Sequence, residues 1–179
     1  MNLVLALLLI TAPISARTTG NGFGTFGTTT ADRLSLKLTN DAGKTTVISA
    51  ERFAKLPRQT VTAKDHAGAM ATYSGVALAE LLGAAEVKLG KDLKGALLAN
   101  CLLIQAADGY RVVFSLAEVD PITTSNVILV ADRKDDKPLD AKEGPYRLVV
   151  PSDKRFSRWV RQVTEISVEQ VGKPIPKRQ

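Results

Sequence analysis

From Arg33 the chain alternates, with Leu34, Leu36 and Leu38 on one side and Ser35 and Lys37 on the other, the pattern of a half-buried strand. Asn40-Asp41-Ala42-Gly43 reads as a turn, and Lys44 to Ile48 as its return strand. Ser49 is placed to cap a short helix from Ala50 to Leu56, which Pro57 ends. Gln59 to Lys64 alternates again and delivers Asp65 to Met70 into a loop. Tyr73-Ser74-Gly75-Val76 then leads into Ala77 to Ala85, where Leu78, Leu81 and Leu82 share a helical face. Lys88 to Gly95 is a polar connection flanked by glycine.

The second half begins with a strongly apolar run, Leu97 to Ala107, which holds Cys101 and predicts a buried strand. Asp108-Gly109 predicts a two-residue type I′ turn, which needs positive φ at both central positions, with Tyr110 to Phe114 as the partner strand. Ser115 caps a turn over Leu116 to Val119, and Asn126 to Ala131 is another apolar strand. Residues 133–143 (RKDDKPLDAKE) read as a charged surface loop. Tyr146 to Val150 is a short strand stopped by Pro151, since proline cannot donate to a sheet ladder.

After it, Ser152 and Asp153 are good helix caps, and Phe156, Trp159, Val160 and Val163 fall at the spacing of one apolar helix face. Lys154, Arg158 and Arg161 lie on the opposite side of that predicted helix. A helix N-terminus already carries positive partial charge, so cations beside it make sense if something anionic sits there. A solvated basic face accounts for them equally well. Short strands, several hairpins and few helices predict an α+β fold with mixed sheets rather than a doubly wound one.

The ends of the chain change the picture in one respect. Residues 1–16 (MNLVLALLLITAPISA) read as a signal peptide, with an apolar run too short to span a bilayer and small residues before Arg17. Residues 17–31 are Gly- and Thr-rich and read as a flexible linker. That leaves one domain over residues 32–171 and a basic tail, 172–179. The expected setting is export to the periplasm or outside, with no membrane span in the mature chain. The net charge is +6, and the aromatics are few and not interleaved with basic residues. An anionic small molecule or acidic partner surface is therefore expected, not nucleic acid.

Cys101 is the only cysteine and His66 the only histidine, so an internal disulfide and a Cys/His zinc site are both excluded. A free cysteine in an apolar strand is expected to be a small core residue. No G-x-S-x-G motif accompanies His66.

The order of motifs resembles the molybdopterin-binding domain of the sulfite oxidase family. The likeness runs through Tyr73-Ser74-Gly75-Val76-x-Leu78-x-x-Leu81-Leu82, Ala107-Asp108-Gly109-Tyr110, Ile128-Leu129-Val130-Ala131, Lys137-Pro138-Leu139, Gly144 to Pro151 and Arg158-Trp159-Val160. The resemblance implies the sulfite-oxidase-type fold, a molybdopterin cofactor held in a cleft by loops and basic side chains, and a redox partner protein. Arg158-Trp159 matches the family's Lys-Trp pair at the pterin phosphate, with Arg155 at the preceding basic position, and Lys154 and Arg147 complete the basic set. The family's molybdenum is ligated by a cysteine upstream of the Gly-Val-x-Leu helix. Here that region reads Thr62 to Met70 and has none, leaving Asp65 and His66 as the metal candidates. Three readings follow: an exported molybdopterin oxidoreductase that passes electrons to a partner, its catalysis impaired if the missing thiolate is not replaced; a non-catalytic module binding an anionic small molecule or a partner protein; or an accessory module docked on a membrane-bound complex through its basic surface.

Overall fold

The alternating stretches do build sheets. In the computed structural model, which describes residues 34–172, Leu36–Thr39 forms β1 and Thr45–Ile48 forms β2. Their turn is organised by Asn40, whose Oδ1 accepts the N–H groups of Ala42 and Lys44 at 3.1 and 3.0 Å. Ser49 caps α1, Ala50–Ala54, its hydroxyl accepting from the Arg52 N–H at 3.2 Å. β3 (Arg58–Lys64) and β4 (Met70–Ala77) form a hairpin, and β4 runs directly into α2, Leu78–Ala84, which buries Leu78, Leu81 and Leu82.

The later strands are β5 (Asn100–Ala106), β6 (Arg111–Ser115), β7 (Leu129–Lys134), β8 (Lys137–Pro138), β9 (Arg147–Val149) and β10 (Val163–Gln170). They complete two five-stranded sheets. One has the order β2-β1-β10-β5-β6; the other runs β3-β4-β7-β8, with β9 also on β7. β1 and β10, the first and last strands of the described residues, pair in parallel in one sheet, and the other pairs are antiparallel. The expected α+β class with mixed sheets and short helices is what the chain adopts. Leu36, Leu38, Leu102, Ile104 and Phe114 from the first sheet share one buried cluster with Tyr73, Leu129, Val130, Leu148 and α2. β9 is buried along its whole length, which brings Arg147 into the interior.

Four local expectations are corrected. Asp108-Gly109 does not make a type I′ turn, because only Gly109 has positive φ, at 86°. The Ala106 N–H reaches the Tyr110 carbonyl at 2.9 Å, leaving a three-residue loop closed by a left-handed glycine. Consecutive positive φ values of 49° and 61° occur instead at Asp135 and Asp136. They make the two-residue turn between Lys134 and Lys137, so the charged stretch 133–143 contains a hairpin.

The predicted helix after Pro151 is also absent. Phe156–Arg158 forms one 3-10 turn, and the backbone then extends beside β9. The Leu148 N–H bonds to the Val160 carbonyl and the Val163 N–H to the Tyr146 carbonyl, both at 2.8 Å. Those groups are therefore unavailable for helical bonding. The apolar residues read as a helix face are nonetheless inward: Trp159, Val160 and Val163 are buried and Phe156 is partly so.

Cys101 is partly exposed instead of core. It alternates with Leu102 and Ile104, so its side chain stands on the outer face of its sheet. Burial and nearby Glu169 push its thiol pKa up. The expectations for residues 1–16, 17–31 and 173–179 lie outside the described residues. Among the described residues, no helix is long and apolar enough to cross a membrane.

Candidate functional site

The basic residues singled out by sequence do not converge on one point. Lys154 and Arg155 are exposed and join none of the ion pairs among the described residues. Arg161 is exposed, and Arg158 turns inward beneath the 3-10 turn. The shared basic face vanished with the helix.

Arg147 is the buried cation, at 0% exposure. β9 carries it beside two rings that meet edge-on at 5.8 Å, its guanidinium carbon 5.5 Å from the centroids of both Tyr73 and Trp159. Nη1 donates to Glu143 Oε1, while Nε and Nη2 have no hydrogen-bond acceptor. The Tyr73 hydroxyl nearby is likewise buried without a partner. The two rings compensate part of the lost hydration, because a guanidinium is attracted to an aromatic ring. Unpartnered buried donors nevertheless mark a place where an acceptor would be welcome.

From Trp159 an aromatic stack leads outward. Phe156 meets Trp159 edge-on at 5.0 Å, and His66 lies over Phe156 at 4.4 Å. His66, Phe156, Trp159 and Arg161 line a cavity of about 200 Å³. Its wall is fixed by the Tyr110 hydroxyl, which donates to the Ser157 carbonyl at 2.6 Å. Burial, then the positive charges of Arg161 and Arg147, hold the His66 pKa below its ordinary 6.5. Asp108 lines the cavity as well, so its wall carries charges of both signs.

Arg158 occupies a different environment. Asp153 takes it bidentately, Nε to Oδ2 at 2.8 Å and Nη2 to Oδ1 at 2.6 Å, and Nη1 reaches Glu118 Oε1 at 3.0 Å. The guanidinium lies 4.3 Å from the centroid of the Phe114 ring. The Asp153 bonds above all raise its pKa. Burial raises the Glu118 carboxyl, but the Ser115 N–H and Arg158 outweigh it and hold the carboxyl below its ordinary value. Arg158 thus has both carboxylates where the sequence reading placed a phosphate. Cys101 is no substitute ligand here. Its neighbour Leu102 faces Phe114, so the thiol stands on the sheet's other face from the ring that carries Arg158.

Asp65 closes the β3–β4 turn. Its Oδ1 accepts from Ala67 and Ala69 at 2.9 and 3.0 Å, and Oδ2 accepts from Lys134 Nζ at 2.9 Å. The Lys134 bond leads the causes that lower its pKa. Neither Asp65, so engaged, nor ring-stacked His66 belongs to a metal-ligand cluster: among the described residues no group of three or more His, Cys, Asp or Glu side chains is placed to hold an ion.

A sequence model of the oxidoreductase molybdopterin binding domain matches residues 27–174. The chain belongs to that family. None of the curated proteins compared with it matches. Among solved structures, this family member resembles the crystal structure of the sulfane dehydrogenase SoxCD from Paracoccus pantotrophus. The TM-score is 0.58 at 21% identity, over 75% of this chain and 37% of that one. The likeness shows the sulfite-oxidase-type fold, and the chain spans little more than a third of that relative.

The family's cofactor can be tested against the residues present. The unpartnered N–H groups of Arg147 suit an anion. The metal end does not fit: the β3–β4 region has no thiolate, and the chain's single cysteine lies on an outer sheet face. Molybdenum ligated by a cysteine is not accommodated.

Sequence reasoning missed the site roles of Glu143, Asp153, Glu118 and Tyr73, while Arg161 stood among the cations expected beside an anion. Two signals were present. Ser115-x-x-Glu118 is a capping-box pattern, and the box forms, which pins Glu118. Glu143 stands four residues before Arg147, a charge pair visible in the sequence.

Proposed function

We propose that this chain is a non-catalytic, ligand-binding member of the molybdopterin-binding domain family. It takes a small oxyanion at the Arg147 end of the cleft and performs no thiolate-ligated molybdenum chemistry. The observation that carries this reading is the buried Arg147, which keeps two nitrogens without an acceptor and packs on Trp159, a residue that lines the cavity shared by Arg161 and His66. The apolar leader over residues 3–10 supports export as the setting.

A planar guanidinium binds a carboxylate or phosphate oxygen through paired donors, and a low-dielectric site strengthens that bond. Reaching Arg147 requires the Phe156–Trp159 lid to shift, because the guanidinium is covered. Arg161, exposed at the rim, supplies the first contact.

The test is a titration of the His66 ring by nuclear magnetic resonance with sulfate and phosphate as probes. Bound anion offsets Arg161 and Arg147, so the His66 pKa rises. Arg161→Ala and Arg147→Lys each weaken the effect several-fold, the second because a lysine keeps the charge but loses the fork. A His66 pKa indifferent to both anions would overturn the proposal.

A further inference from the structure

The Arg158 cavity differs in kind from the one beside His66. Its volume is about 440 Å³, and Thr123, Thr124, Asn126, Ser152 and the Arg158 clamp line it. The Thr124 hydroxyl accepts from the Asn126 N–H at 3.1 Å, and the Thr123 hydroxyl donates to Asp120 at 3.1 Å. Ser115 Oγ accepts from the Glu118 N–H at 3.2 Å. Thr123, its proton committed to Asp120, shows lone pairs, while Thr124 and Ser115 keep their O–H protons free. Two carboxylates face one guanidinium, so the lining is net negative.

The geometry of the clamp bears on specificity. A carboxylate gripping a guanidinium through two parallel N–H···O bonds copies the way a phosphate is gripped. A dianion entering this cavity would have to displace Asp153 and approach Glu118 at close range, and like charges set together disfavour it.

We infer that Asp153 and Glu118 are specificity-determining residues: an internal carboxylate clamp occupies Arg158, excludes phosphate from this cavity and leaves it for uncharged or cationic ligands. Replacing the clamp by amides would turn the same cavity into a phosphate site. The inference does not rest on the oxyanion site proposed above. The two cavities share no lining residue, and separate amide signals report on them.

The experiment is a titration of the whole chain with inorganic phosphate, followed by backbone amide shifts. In the wild type, the amides of Asn126, Ser152 and Asp153 stay still, whatever those of His66 and Arg161 do. In the Asp153→Asn/Glu118→Gln double variant they shift with at least about tenfold higher affinity, and adding Arg158→Ala abolishes the response. Glu118→Gln alone, at the more exposed partner, keeps the test open if the double variant does not fold, and gives a smaller gain. Wild-type binding at those amides that Arg158→Ala removes would overturn the inference. So would folded amide variants that ignore phosphate.

Discussion

Glu143 and Arg147 form the pair on which the interior of this protein depends. Arg147 is 1% exposed at its side chain and Glu143 19%. Removing one partner of a buried ion pair costs about 3–5 kcal/mol, because the remaining charge stays uncompensated. Glu143→Ala is therefore expected to lower urea unfolding stability by about that amount, whereas Glu143→Gln keeps an acceptor and loses less. Equal, small losses from both would show that the rings of Tyr73 and Trp159 suffice to hold the cation.

His66 gives a pH signature at the same scale. Its folded pKa lies below 6.5, so its neutral form favours the folded state. That contribution is complete above 6.5 and is lost as the pH falls through the depressed folded value. Asp65, also depressed, acts in a separate window, starting below 3.8. A melting-temperature profile should decline below 6.5 in the wild type and flatten there in His66→Gln. A variant whose profile superimposes on the wild type would contradict this assignment.

At the scale of elements, much was legible because period and punctuation agreed. Leu36, Leu38 and the Ser49 cap behave as their pattern requires. The stretch after Pro151 was not legible, since Phe156, Trp159, Val160 and Val163 satisfy a helical period while the real constraint is β9 alongside. Long-range hydrogen bonds to Tyr146 and Leu148 decide the conformation, and no local window contains them. The two hairpins show the same limit: Asp108-Gly109 has the stronger local signal, yet consecutive positive φ is realised at Asp135-Asp136.

Gly75 illustrates a motif whose reason appears only in the folded chain. It sits at the register shift between β4 and β7, and a Cβ there would meet the Val130 carbonyl oxygen at 2.0 Å and the Ala131 Cα at 2.6 Å. Backbone cannot yield as a flexible side chain can. Gly75→Ala should therefore separate β4 from β7, lowering the thermal midpoint by well over ten degrees or preventing soluble expression. Gly83→Ala, with open space around it, is the control expected to change little. A Gly75→Ala protein as stable as wild type would mean the strands pack differently.

For the molecule as a whole, the fold class and the family were within reach of the sequence because ordered motifs span most of the chain. The site was not, since burial of Arg147, capture of Arg158 and outward placement of Cys101 are products of tertiary packing. The result is a family fold with an arginine prepared for an anion at one end and no thiolate at the other. Such a protein would hold no molybdenum in the family's manner. The direct measurement is the molybdenum and pterin content of the full chain, purified from a host that makes the cofactor. Molybdenum far below stoichiometric, unchanged by Cys101→Ala, is the predicted result, and stoichiometric molybdenum would contradict the account.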